Sequence, residues 1–452
     1  MKTTLAKPGA GFTLDLARAI SETRNEPGWM RAFREEAWRL YDSLPPPTRK
    51  SEDWRHTDPA WFPWEAATAQ PPAHRPVGSA GKLAPDLRRL VETGGQTSAL
   101  VVQEDADTVL VAGERLSAEG VILCDLDTAV REHGELVRKY FMSEAVPVTY
   151  DKFAALHGAL WSGGTFLYVP AGVEIELPIE SYRYLRSSGV ALFPHTLIIA
   201  ERGARVAYVD EYASAPLETP SLNVGVVEYY LGEGANVRYV SVQDYGYDVF
   251  HMNTQRLVAG KDAFISTNNI TLGSKVSRVN AESVLRGPGS YSEMLGLALA
   301  DLDQHFDHHT FQHHASGYAK SDLLYKSVLK DESVGVWSGL IRVDPKAQKT
   351  DSYQKSANLI LSENARAFPK PGLEIEADDV RCTHGATVGT LDPEEIFYCL
   401  TRGLTREQAQ TLIVFGFFGE VLDRIPDEVL RAKISRKMET KLGFESFKFR
   451  PE

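Results

Sequence analysis

A chain of 452 residues with 43% hydrophobic content is too long for one ordinary compact core, so it divides into two or three domains or grows as a solenoid by adding coils. Its 49 basic and 61 acidic residues leave a net charge of −12, which excludes a large nucleic-acid surface because neutralising phosphates takes clustered Lys and Arg. Cys124, Cys382 and Cys399 are too few and scattered for a disulfide framework and point to a cytoplasmic setting, while the absence of an apolar signal segment and of any run near the ~20 apolar residues of a membrane span argues against export and membrane insertion.

Residues 1–90 read as an N-terminal helical region and linker. In "EPGWMRAFREEAWRLYDSL" the residues Trp29, Phe33, Ala37, Leu40, Tyr41 and Leu44 recur at three- and four-residue steps, and Pro45, Pro46 and Pro47 end the helix. The aromatic "SEDWRHTDPAWFPW" follows, then a stretch of linker composition.

Residues 91–390 form a region of strands with one helical insert, "DTAVREHGELVRKYF". An apolar run, a Gly-bearing turn, a small residue and then alternation recur every 27 to 31 residues, with Ala204, Ala235, Ala263 and Ser290 in matching positions. That period suits the coils of a β-solenoid; a β-sandwich uses similar strand language.

Residues 391–452 are helical again. Asp392 before Pro393, and Thr405 three residues before Gln408, mark two capped helix starts. In "TLIVFGFFGEVL" apolar residues surround the helix axis, which predicts burial against the solenoid end or beneath another protein. The basic "RAKISRKMETK" reads as a solvated helix face.

Catalytic motifs are scarce. "GSAGKLA" lacks both the first glycine and the hydroxyl residue of a phosphate-cradling loop, so no nucleotide is expected on this chain, and G-x-S-x-G, H-E-x-x-H and C-x-x-C do not occur. Strand alternation in "HFDHHTFQHH" sends His305, Asp307 and His309 to one face, where imidazole and carboxylate could bind zinc or iron, but they span about 13 Å end to end. A hydrogen-bonded polar ladder is the alternative. Cys382 and His384, two positions apart on a strand, stand about 7 Å apart at the base. They can give one metal two ligands, which is half a site, and a buried Cys beside a satisfied turn His is the competing reading.

The stretches "DKFAALHGALWSGGTFLYVPAGVEIELPIE", "HFDHHTFQHH", "SDLLYKSVLKDESVGVWSGLIRVDPKAQKTDSYQKSANLILSENARAFPKPGLEIEADDVRCTHGATVG" and "EEIFYCLTRGLTREQAQTLIVFGF", in that order, closely resemble the SufB/SufD family of iron-sulfur cluster assembly proteins. The likeness spans about residues 145 to 425, and "KTDSYQ" with "RCTHGATVG" resembles the SufD type: SufB-type chains carry Cys where Thr350 stands and Glu where His384 stands. The resemblance implies a right-handed parallel β-helix core flanked by helical regions at both ends. It further implies a non-enzymatic scaffold that holds a transient, nascent cluster through His384, with Cys382 beside it, at an interface with SufB. The apolar C-terminal helices, with Leu412, Phe415 and Phe418, are then expected to dock the SufC ATPase, and Cys399 to serve packing. Edge coils also permit a homodimer, and the sequence carries no signal for or against a flavin. A β-helical polysaccharide-active enzyme and a histidine-based metal-binding protein are the rival readings.

Overall fold

The computed structural model describes residues 11–65, 67, 83–92 and 96–443; most of the expected linker and of "GSAGKLA" lies outside them. From Gly164 onward the chain winds as a parallel β-solenoid of about eight turns, each coil giving one strand to each of two facing sheets. The first sheet stacks Arg205–Ser214, Asn236–Asp244, Phe264–Thr271, Tyr291–Ala300, Lys320–Leu329, Asp351–Ile360 and Arg381–Thr390 in parallel register. The second stacks Ser221–Leu231, Val249–Ala259, Val276–Leu285, His305–His314, Val334–Val343 and Arg366–Ile375.

The repeat read from sequence marks one corner of the coil. Ala204, Ala235, Ala263, Ser290 and Ala319 stack there with at most 1% exposure. Gly203, Gly234, Asp262, Gly289 and Tyr318 precede them at φ of 71, 66, 53, 71 and 60°. A left-handed residue turns the backbone sharply, and the next side chain points into a corner with room for little more than a methyl group. Between the sheets Val206, Tyr208, Val237, Tyr239, Ile265 and Leu285 build the inner core.

Helices cover both outer faces. Leu14–Thr23 and Gly28–Ser43, joined by Lys152–Leu160 and the aromatic arm with Trp54, Phe62 and Trp64, pack on Leu222, Val224, Met252 and Val276 of the second sheet. The helical insert, Leu126–Glu132 and Gly134–Tyr140, lies on the same side and is pinned by a buried carboxyl. The backbone N–H groups of Met142 and Val146 donate to Glu228 at 2.7 and 3.0 Å. His157 Nδ1 donates to the Val224 carbonyl at 2.9 Å, its Nε2 accepts from His195 Nδ1 at 3.0 Å, and His195 Nε2 is left as a lone pair 3.2 Å from Glu228. That chain puts a proton on Glu228. Burial pushes the Glu228 carboxyl up to about 8, and burial followed by the Arg183 charge pulls His195 down to about 3.

On the first sheet lie Arg406–Leu422 and Glu428–Leu442. Asp392 caps Pro393–Thr401, and Thr405 with Gln408 forms a capping box, as their spacing predicts; a third start is capped by Asp427. Arg406–Leu422 is not enclosed all round. Ala409, Val414, Phe418, Val421 and Leu422 are buried, whereas Leu412 is 56% exposed, because the helix lies along the sheet face instead of plugging the solenoid end. The basic stretch is likewise not a solvated face: Lys433, 6% exposed, pairs with Glu211, Lys437 with Asp244 at a strand end, and Lys441 with Asp301 just past one. Among the described residues no helix is long and apolar enough to cross a membrane.

Candidate functional site: the open last coil

The two ends of the solenoid differ. At the first end, antiparallel strands close both sheets: Asp107–Ala112 on Ala99–Glu104, and Ile122–Asp125 on Gly164–Val169. At the other end each sheet stops at a parallel strand with one neighbour, Arg366–Ile375 and Arg381–Thr390. Both of these strands are largely exposed. Pro369 and Pro371 take two N–H donors out of the former, which only an edge tolerates. Arg381–Thr390 has no proline, so its edge keeps an uninterrupted row of donors and acceptors.

Cys382 and His384 stand on this last strand. Register pairs Cys382 with Ser352 and His384 with Gln354, so both candidate ligands share the face that points into the solenoid. Cys382 is half-buried against Ile341, Val343, Leu373 and Val380, and His384 is exposed at the open mouth. Burial, with the Asp351 charge second, pushes the Cys382 thiol up to about 11, so a metal must displace its proton to bind. Among the described residues no three His, Cys, Asp or Glu side chains gather as a metal site. The two side chains stand together at an open strand edge.

Beneath it lies a polar lumen that the motif reading did not single out. Ser352 Oγ is 2.7 Å from Ser321 Oγ, which His314 Nε2 and the Gln312 amide approach at 2.8 and 2.7 Å. Alternation over "DSYQKSAN" places Ser352, Gln354, Ser356 and Asn358 on one face, and all four are buried. The signal was there: a polar face on a strand that has neighbours on both sides.

The histidine-rich strand behaves as the polar ladder. His305 lies 2.9 Å from Thr57 Oγ1 of the N-terminal arm, and Asp307 binds Arg278, Thr57 and His309. Burial alone would raise the Asp307 pKa, but the charges of His309 and Arg278 outweigh it and hold the carboxyl well below its usual range. Asp307, between His305 and His309, is committed to Arg278, and Thr57 of the arm lies against His305. His309 faces a cleft of about 440 Å³ between that arm and the second sheet, with Tyr150, Glu282, Ser338 and Lys370 around it.

The three expected docking residues separate. Phe418 is fully enclosed in the core against the first sheet, Phe415 is partly buried at its margin, and Leu412 faces outward. Leu412 joins Tyr398, Ile413, Gly416 and Phe417 around a groove of about 930 Å³, beside exposed Phe397. Cys399, at 8% exposure, packs with Ile396 and Ala409.

Comparison with known proteins finds that residues 183–417 match the family model described as "SUF system FeS cluster assembly, SufBD core domain". Residues 17–180 match "SufBD protein N-terminal region". The chain is 30% identical over 432 residues to the iron-sulfur cluster assembly protein SufD of Bacillus subtilis, covering 94% of this chain and 97% of that protein. An iron-sulfur cluster assembly SufBD family protein of Staphylococcus epidermidis is 29% identical over 452 residues, covering 96% of this chain and 94% of the relative.

Proposed function

The chain belongs to the SufBD family of iron-sulfur cluster assembly proteins, and from that premise we propose that it is a non-catalytic scaffold subunit that holds a nascent cluster at its open last coil. One observation carries the reading: an uncapped, proline-free strand edge displays His384 and Cys382 as an incomplete ligand pair. A second solenoid of the SufB type, pairing along that edge, would bring the missing ligands across the interface. Ligation split between two chains suits a scaffold that must give up its cargo, because parting the chains opens the site.

The groove bounded by Leu412 and Tyr398 is the proposed dock for a SufC-type ATPase, which would supply the energy of nucleotide hydrolysis. Free Cys124, Cys382 and Cys399 agree with work in a reducing cytoplasm.

The test is co-purification of the tagged chain with its partners, followed by anaerobic reconstitution with ferrous iron and sulfide. His384→Ala lowers iron and sulfide content while leaving the complex assembled and its circular dichroism unchanged. Full cluster content in His384→Ala would overturn the proposal.

A further inference from the structure

Gly416 lies inside the helix Arg406–Leu422, a place where glycine weakens a helix relative to alanine. Neither backbone nor packing requires it. Its φ is not positive, and a Cβ built on it would meet no atom within 4 Å. Glycines of the solenoid turns differ: a Cβ at Gly287 would lie 2.0 Å from the Lys261 nitrogen, and one at Gly273 2.1 Å from the Tyr245 carbonyl oxygen. A residue that costs helix stability and that its own fold does not need has its reason outside the chain.

The surroundings indicate what lies outside. Gly416 is exposed and stands one turn beyond Leu412, and both line the groove of about 930 Å³ beside Pro393–Thr401. Leu412 and Tyr398, 56 and 59% exposed, flank it, and Phe397 stands near them at 67%, a gathering of large apolar side chains that marks an interaction surface. Between Leu412 and Tyr398 the missing side chain leaves helix backbone as the floor. The rim is acidic: Asp392, Glu394 and Glu395 line the groove and, among the described residues, no Lys or Arg does. Asp392 is engaged as a cap, accepting from the Glu394 N–H at 2.8 Å. A first helical turn favours acids, but that preference does not direct Glu394 and Glu395 to this groove.

We propose that Gly416 is the contact point of the dock: the partner enters with a bulky apolar side chain that reaches the helix backbone at Gly416, flanked by Lys or Arg that meet Glu394 and Glu395. The inference rests on the proposed ATPase dock and adds the chemistry that selects what enters it.

The experiment immobilises the full chain and titrates it with the SufC-type ATPase of the same cells at salt from about 50 to about 500 mM, with a guanidinium midpoint measured for each variant. Gly416→Leu, which fills the floor, is expected to weaken binding at least about tenfold at a midpoint no lower than that of the wild type, because leucine is the better helix former. Gly416→Ala is expected to raise the midpoint and to weaken binding by about threefold. Wild-type affinity falls as salt rises, and the double variant Glu394→Gln, Glu395→Gln flattens that dependence. Wild-type affinity in Gly416→Leu, beside lost capture in Leu412→Asp, would overturn this inference and leave the dock standing, as would an undiminished salt dependence in the double variant. A lowered midpoint in Gly416→Ala would show that the glycine serves this chain's own packing and would overturn it too. Unchanged capture in Leu412→Asp would overturn both readings. Should Gly416→Leu fail to fold, Gly416→Ala decides: the threefold loss supports the contact and wild-type affinity refutes it.

Discussion

Phe418 and Leu412 lie six positions apart on one helix, and the structure gives them opposite jobs. Phe418 is fully enclosed among Val414, Val421, Leu422 and the outward residues of the first sheet, so Phe418→Ala empties a packed site. Such a deletion costs about 3–5 kcal/mol. Leu412 is 56% exposed, and a substitution there falls within about 0.5 kcal/mol. Guanidinium denaturation followed by circular dichroism separates the two, since 3–5 kcal/mol moves the midpoint down by roughly 0.5–1 M in a protein of this size. Capture of a SufC-type ATPase on the immobilised chain supplies the second axis. Leu412→Asp loses capture at an unchanged midpoint; Phe418→Ala loses stability first. Equal midpoints for Phe418→Ala and the wild type would refute the seating of this helix on the sheet, and a Leu412→Asp midpoint as low as that of Phe418→Ala would refute the exposed groove.

Two further outcomes concern the frame around the site. The folded state holds the Glu228 proton more tightly than the unfolded chain does, so this group's stabilisation is full below the ordinary carboxylate range and is lost as pH rises towards about 8. Thermal midpoints measured from pH 5 to 8 should fall more steeply for the wild type than for Glu228→Gln, by on the order of 4 kcal/mol across the window, and parallel slopes would remove the proton from Glu228. Asp307→Ala leaves Arg278, 3% exposed, as an uncompensated buried charge, a loss of about 3–5 kcal/mol. Because Asp307 also binds Thr57, limited proteolysis should cut the arm around 51–64 faster in this variant, and an unchanged cleavage rate would show that the arm is held by its aromatic residues alone.

What the sequence made legible was local or periodic. The corner from Ala204 through Ser290 repeats because every coil meets the same steric demand, and Asp392 and Thr405 announce helix starts because a cap involves only the next three residues. Alternation likewise placed His305, Asp307 and His309 on one face. Pairings across the fold stayed hidden. Nothing near Lys433 indicates Glu211, 222 positions away, so a run of lysines read as solvated face turned out to clamp a helix to a sheet. The all-apolar look of "TLIVFGFFGEVL" could not say which side meets the solenoid, since that depends on the strands beneath. Cys382 and His384 were visible as a pair, but the buried polar neighbours Ser352 and Gln354 are brought beside them only by parallel register between coils.

The unequal ends of the solenoid also bear on how chains could join through them. A coil stack open at both ends could add neighbours head to tail without limit and grow into a fibre. Here the antiparallel strands at the start bury Asp107, Thr108 and Leu110 and offer no matching parallel edge, while the finish offers one. In the proposed pairing open end meets open end, and the antiparallel strands at the start do not template a further parallel coil. Growth through the open ends would then stop at two chains, and a cargo held by Cys382 and His384 would sit at their junction.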